Sequence, residues 1–442
     1  MMNHSSRTTP CLSHRLRSWT SGPLACLLAL ALALPASGQG KETLGPARYT
    51  LVELSALALE SNRSLAAAAD LVTAARAGIT TARAYPNPEL EAIPGTVRAR
   101  KPGVYEGAGQ TATLTQPIDY PWVRRARIGA ADAGFDAASA EARLSRTELL
   151  ARLQYRFYEL LRQEADLRAA REDARTLEQI AGRIKLKVDT GESARFEAIK
   201  AETELLIARK MVETAELRIR QTKANLRQLV GEALPPSFEV IGDLNETAVV
   251  PTLEALNTEL LTNNPELARQ RALTRQAKNL RDYEQHQRWP ALAIKGAYDQ
   301  SPDASFGGIG IVVKVPLWDR REGPVGEAEA RLASARNQEL YREFSLQQSL
   351  EVAWQQWQIA TAQVRALETG ILRQATAALK VAEAAYRSGE RGILEFLDAQ
   401  RVYRAARNEL ITAHFDQQVA IIEIDRLRAA PADRVSSQGI IP

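Results

Sequence analysis

The sequence of 442 residues is poor in the side chains from which catalytic and metal centres are built, with two cysteines, four histidines and three methionines. Cys11, Cys26, His4 and His14 all fall in the first 38 residues, and beyond them only His286, His414 and Met211 remain of these three types. Disulfides, thiolate zinc sites, cysteine–histidine nucleophile pairs and a methionine metal relay are thereby excluded from the rest of the chain. No phosphate loop or nucleophile constellation stands out either, so the chain does not read as an enzyme and no cofactor is expected. Uninterrupted apolar runs of about 18 residues are also missing after residue 40, which excludes a helical membrane span there. Any insertion into a membrane must then be made by strands.

The first residues are of another kind. Arg7, Arg15 and Arg17 precede the apolar run Leu24 to Leu34, and Ala36-Ser37-Gly38 offers a small-residue cleavage site, so residues 1–38 read as a secretory signal. Cys26 lies inside the apolar run rather than after it, and cleavage without a lipid anchor is expected. The signal holds three basic and no acidic residues, so the formal charge of +4 falls to about +1 without it. A pI near 9.0 is therefore no argument for a nucleic-acid partner.

Proline, which costs about 3 kcal/mol inside a helix, is absent between Pro121 and Pro235 and again between Pro324 and Pro431. These stretches are rich in Ala, Leu, Glu, Arg and Gln, and each is broken once by turn chemistry, at Asp189-Thr190-Gly191-Glu192 and at Ser388-Gly389-Glu390-Arg391-Gly392. Two long helical hairpins are predicted. The first arms (about 123–188 and 323–387) reach roughly 98 Å at 1.5 Å per residue, and the second arms are much shorter. Shorter helices predicted at 64–84 and 265–287 supply the missing length if they stack end to end on the second arms.

The chain repeats itself. Leu51, Leu54, Asn62, Leu65, Pro88 and Leu90 match Leu253, Leu256, Asn264, Leu267, Pro290 and Leu292 at one constant offset; Gly191, Glu192, Glu197, Ala201 and Leu229 match Gly389, Glu390, Glu395, Ala399 and Leu427 at another. The second arms share a seven-residue register in which Ala208, Ala215 and Thr222, like Ala406, Ala413 and Ala420, form a seam of small residues. This divides the chain into a signal (1–38), a first repeat (39–231), a linker or equatorial segment (232–251), a second repeat (252–430) and a flexible C-terminal tail (431–442).

Between the short and long helices of each half, at about 88–119 and 289–317, lie segments of period-two alternation. The clearest sets Ile309, Ile311, Val313, Val315 and Leu317 against Gly308, Gly310, Val312, Lys314 and Pro316. Ordinary soluble hairpins share this pattern. Aromatic placement separates the two readings: Tyr85 and Trp289 stand where helix becomes strand, and Tyr120, Trp122 and Trp318 where strand becomes helix, as in a membrane-interface belt. Four strands cannot close a barrel and open edges are not tolerated in lipid, so membrane strands here require oligomerisation.

On these features, and on Tyr85-Pro86-Asn87-Pro88-Glu89-Leu90, Gln116-Pro117-Ile118 and Tyr386 through Gln400, the chain resembles the TolC-type outer-membrane efflux family over essentially its whole length after the signal. The resemblance implies a mainly α protein with a small β part: a homotrimer whose periplasmic α-helical tunnel continues into a shared 12-stranded antiparallel β-barrel in outer-membrane lipid. It also implies a periplasmic adaptor docked at the hairpin tips (Gly191, Glu192, Gly389, Glu390) and, through it, an inner-membrane RND transporter. Glu395 and Asp398 fall where the family places acidic rings at the periplasmic aperture, and Tyr386 and Arg391 where it places closed-state contacts. Acids three residues apart share a helix face and three-fold symmetry makes a ring of them, although a solvated face shows the same spacing. In the first repeat Glu197 matches Glu395, but Lys200 stands opposite Asp398. The Asn-Pro-Glu-Leu segment is most similar to the heavy-metal, cation-exporting branch, serving cobalt–zinc–cadmium or copper–silver systems. The expected function is the passive exit duct of a tripartite efflux pump. The duct of a type I protein secretion system or of a multidrug pump shares the fold, and a periplasmic coiled-coil scaffold or a pore-forming toxin lies further off.

Overall fold

The computed structural model describes residues 47–430, apart from 99, 101, 104, 247 and 248. The expected signal and C-terminal tail lie outside the described residues. In the first repeat, β1 (Ala47–Thr50) leads into α1 (Leu51–Ser61) and α2 (Arg63–Arg83). The hairpin β2 (Glu89–Val97) and β3 (Gly107–Pro117) follows, then α3 (Pro121–Asp189), α4 (Arg195–Val230) and β4 (Phe238–Ile241). The second repeat runs through α5 (Leu253–Asn263), α6 (Pro265–His286), β5 (Ala291–Gln300), β6 (Ser305–Lys314), α7 (Glu322–Ala366), α8 (Leu372–Arg387) and α9 (Ile393–Arg428).

The 69 residues of α3 span about 104 Å. Its N-terminus is set by Pro121 at the first helical position, where the missing N–H costs nothing. Both α2 and α4 pack on α3, and α6 and α9 pack on α7. The short helices do continue the second arms: Asn62, the cap of α2, donates to Leu229 O at the end of α4 (2.6 Å), and Asn264, the cap of α6, donates to Leu427 O at the end of α9 (2.8 Å). The seam residues Ala208, Ala215, Thr222, Ala406, Ala413 and Ala420 are buried. The repeats meet where α3 takes α6. At this crossing a Cβ on Gly134 of α3 would stand 2.8 Å from Gln276 Nε2, the mobile end of a flexible side chain of α6.

Two features depart from the sequence expectation. The first arm of the second repeat is not one α-helix, because a π-turn at Leu367–Ile371 separates α7 from α8. The equatorial segment holds β4, which pairs in parallel with β1, Tyr49 opposite Val240. Four-residue strands are too short for period-two alternation to register. Around this pair Leu54, Leu153, Phe157, Leu160, Leu226 and Phe238 form the largest apolar cluster, each contributing about 2 kcal/mol of burial. Leu256, Leu260, Leu267, Leu350, Ile424 and Leu427 make the corresponding cluster of the second repeat.

The larger sheet is antiparallel in the order β2-β3-β5-β6. Pro94, which has no N–H to give, sits in the edge strand β2.

Candidate functional site

Each hairpin turns on a glycine in the left-handed region, Gly191 at φ 80° and Gly389 at φ 78°. The closures are the same: Glu192 N–H bonds Lys187 O (2.8 Å) and Gly191 N–H bonds Val188 O (3.1 Å), while Glu390 N–H bonds Ala385 O (3.0 Å) and Gly389 N–H bonds Tyr386 O (3.2 Å). This double bond satisfies the last carbonyls of the first arm and requires a residue without Cβ strain at the turn. Glu192 and Glu390 are left exposed at the two tips.

Beside the second tip, Arg391 Nη1 lies 3.1 Å from Glu395 Oε1, and Asp398 Oδ1 takes Arg401 Nη2 at 2.6 Å. The acids remain 55% and 62% exposed, so these pairs are worth less than about 1 kcal/mol each and exchange readily for other cations. Tyr386 is held differently. Its ring stacks on Phe396, centroids 5.9 Å apart at 11°, and Lys187 Nζ lies 5.3 Å from its centre. Phe396 in turn belongs to a cluster with Leu177 and Ile184 of α3, Leu205 of α4 and Ile393 of α9, so Tyr386 packs at the junction of both hairpins. Of the matching residues in the first repeat, Glu197 is half-buried and Lys200 exposed. Sequence reasoning missed Phe396 and Arg401, although the spacing of Arg401 from Asp398 on one helix face was there to be read.

At the other end, strand register sorts the sheet into two chemistries. One face aligns Leu90, Leu114, Gly296 and Ile309 in one row and Gln116, Ile294 and Ile311 in the next. The opposite face aligns Glu89, Thr115, Lys295 and Gly310, then Glu91, Thr113, Ala297 and Gly308. Every charged side chain of the four strands lies on this second face: Glu89, Glu91, Lys295, Asp299 and Lys314. Thr111 donates to Asp299 Oδ2 there (2.8 Å). On the apolar face Ile309 is 87% and Ile311 72% exposed, a surface that water does not favour.

The junction aromatics gather where helices meet sheet. Tyr120 caps α3, stacks on Trp122 (4.8 Å, 11°) and donates its hydroxyl to Pro290 O next to Trp289 (2.7 Å). Arg124 lies over the Tyr85 ring at 4.6 Å, and Trp318 stands out at 94% exposure between β6 and α7.

The model of the outer membrane efflux protein family matches residues 54–232 and 256–429, one segment for each repeat. The chain belongs to that family. This efflux protein is similar to the cobalt-zinc-cadmium resistance protein CzcC of Cupriavidus metallidurans, with 28% identity over 389 residues covering 88% of this chain and 91% of CzcC. Its fold is shared with the outer membrane protein VceC of Vibrio cholerae, at a TM-score of 0.75 and 20% identity over 86% of this chain and 95% of VceC. CusC, whose structures describe transmembrane channel formation, gives a TM-score of 0.72 at 18% identity over 86% of this chain and 91% of CusC. The fold of this efflux protein is thus that of the outer-membrane channels, long helices with a small four-strand sheet, and its family and fold are those of channel proteins.

Proposed function

We propose that this efflux protein is the outer-membrane duct of a tripartite pump, passively conducting heavy-metal cations that an inner-membrane RND transporter delivers through a periplasmic adaptor. The observation that carries the duct is the open sheet. One face is apolar and exposed, the other bears every charge, and both edges, β2 and β6, are unpaired among the described residues. In lipid such edges must pair, and three copies joined β6 to β2 make a closed 12-stranded barrel with charges inside. The helices support the same order. Within the chain, α3 is covered on one side by α2 and α4 and on the other by α6 and α9, whereas α7 leaves Tyr341, Phe344 and Val352 exposed for a neighbouring copy. The metal cargo is supported by the likeness to CzcC, a cobalt-zinc-cadmium resistance protein.

Deletion of the chain should sensitise cells to cobalt, zinc or cadmium salts and leave tolerance of dyes and antibiotics unchanged. Loss of dye or antibiotic tolerance instead would overturn the metal assignment. The duct itself is tested by mass measurement and single-channel recording of the purified protein: a trimer with a mostly closed, cation-preferring pore is expected, and a non-conducting monomer refutes it.

A further inference from the structure

At matching heights the two repeats are tied by ion pairs of different design. In the first, Arg171 Nη2 of α3 reaches Glu216 Oε1 of α4 at 2.7 Å. The residue that matches Glu216 is His414 of α9, and its Nε2 lies 3.2 Å from Glu368 Oε1 in the π-turn. An arginine–glutamate pair stays charged throughout the physiological range, but a histidine–glutamate pair is an ion pair only when the imidazole holds its second proton.

The π-turn itself records an insertion. Leu149 and Leu153 of α3 match Leu346 and Leu350 of α7, while lower down Gly191 matches Gly389, so between these points the second repeat carries one residue more. A turn closed by i→i+5 bonds absorbs that residue without breaking the helix, and such turns are common at functional positions. Leu367 of the turn packs with Val364 and Ala413, the neighbour of His414.

The imidazole is poorly placed to be a bystander. The His414 side chain is 8% exposed, its Nδ1 has no hydrogen-bond partner among the described residues, and it lines a cavity of about 620 Å³. The other charged groups around that cavity are Glu164 and Arg168 of α3, Arg407 of α9, Glu239 and Asp243 at and after β4, and Arg48 of β1. Arg48 is engaged by Glu239 (2.9 Å) and Arg407 by Asp173 (2.6 Å), and of the four carboxylates around the cavity, Glu164, Glu239, Asp243 and Glu368, it is Glu368 that lies within ion-pair distance of His414.

We propose that Glu368 and His414 form a proton-operated clasp at a hinge in the second hairpin. With the imidazole protonated, the pair holds the π-turn against α9; with it neutral, only a weaker hydrogen bond remains and α8, which carries Tyr386 in its last turn, loosens below the π-turn. The first repeat, tied by Arg171 and Glu216 on an unbroken α3, stays fixed over the same pH range. The clasp does not rest on the identity of the cargo, and its readout is local.

Hydrogen–deuterium exchange of the intact, detergent-solubilised protein at pH 5.5 and 7.5, corrected for intrinsic exchange, tests it. Protection across residues 367–387 should fall about tenfold from the lower to the higher pH, while residues 169–189 of α3 keep theirs. In Glu368→Gln, a near-isosteric change at a half-exposed site, the difference between the two pH values should vanish, and His414→Gln should behave alike. A pH difference that persists in Glu368→Gln, or none in the native chain, overturns the proposal.

Discussion

Asn264 donates from Nδ2 to Leu427 O at 2.8 Å while its Oδ1 accepts the N–H groups of Glu266 and Leu267 at 2.9 and 3.0 Å. One side chain therefore caps α6 and fastens it to the end of α9. Asn62 does the same for α2 and α4, bonding Leu229 O at 2.6 Å and the N–H groups of Ser64 and Leu65 at 2.8 and 3.4 Å. Asn264→Ala removes a cap and leaves a carbonyl without its partner in a buried place, which should cost on the order of 2–3 kcal/mol in thermal or denaturant unfolding. Asn62→Ala, at a more exposed junction, should cost less. Equal losses at the two sites would refute the role of burial in this joint.

The two faces of the sheet make opposite demands on a new charge. Ile311→Lys places an ammonium on the apolar face, at a cost of about 2–4 kcal/mol per copy if that face meets lipid. Val312→Lys, one residue on, adds it to the face that already carries Lys314 and Lys295. Yield of the folded protein in the outer membrane should collapse for the first and hold for the second. Equal yields would show that neither face contacts lipid.

At the tip, where the proposed trimer would set the exposed Glu395 and Asp398 of three copies in a ring, Glu395→Ala together with Asp398→Ala should raise single-channel conductance or lower its sensitivity to divalent cations. Tyr386→Ala removes the stack on Phe396 and should raise the open fraction. Unchanged conductance in both variants would dissolve the aperture assignment.

Two carboxylates of α3, the half-buried Asp166 and the buried Asp173, lie near Arg407 of α9. Burial lifts the Asp166 carboxyl above its ordinary value of 3.8 against the pull of Arg162, Arg218 and Arg407, and burial lifts Asp173 against its own partner Arg407. A carboxyl whose folded pKa is raised favours folding below its unfolded pKa, and that contribution is lost as pH rises through the folded value. Asp166→Asn, which removes the ionisation, should raise the Tm at pH 7 and leave it unchanged at pH 3. A gain of the same size at both pH values would mean that packing, not charge, is responsible.

The sequence by itself determined the helical hairpins, the duplication and the alternation of the strands. Each is a local pattern: absent proline, a glycine at each turn, and periods of two and seven are written in neighbouring residues. Asn62 and Asn264 were visible as matched positions, and so were Leu229 and Leu427, but not that each asparagine reaches the carbonyl of its distant leucine. That contact exists only once α2 stacks on α4 and α6 on α9. The strand β4 escaped notice because four residues leave no periodic trace, and its pairing with β1 joins segments far apart in the chain. Only the tertiary structure showed that one inserted residue becomes a π-turn, and only it set Glu368 against His414, Phe396 under Tyr386 and every charge on one face of the sheet. Those relationships depend on helix phase and strand register summed over long elements, and a single residue more or less turns a side chain to another face.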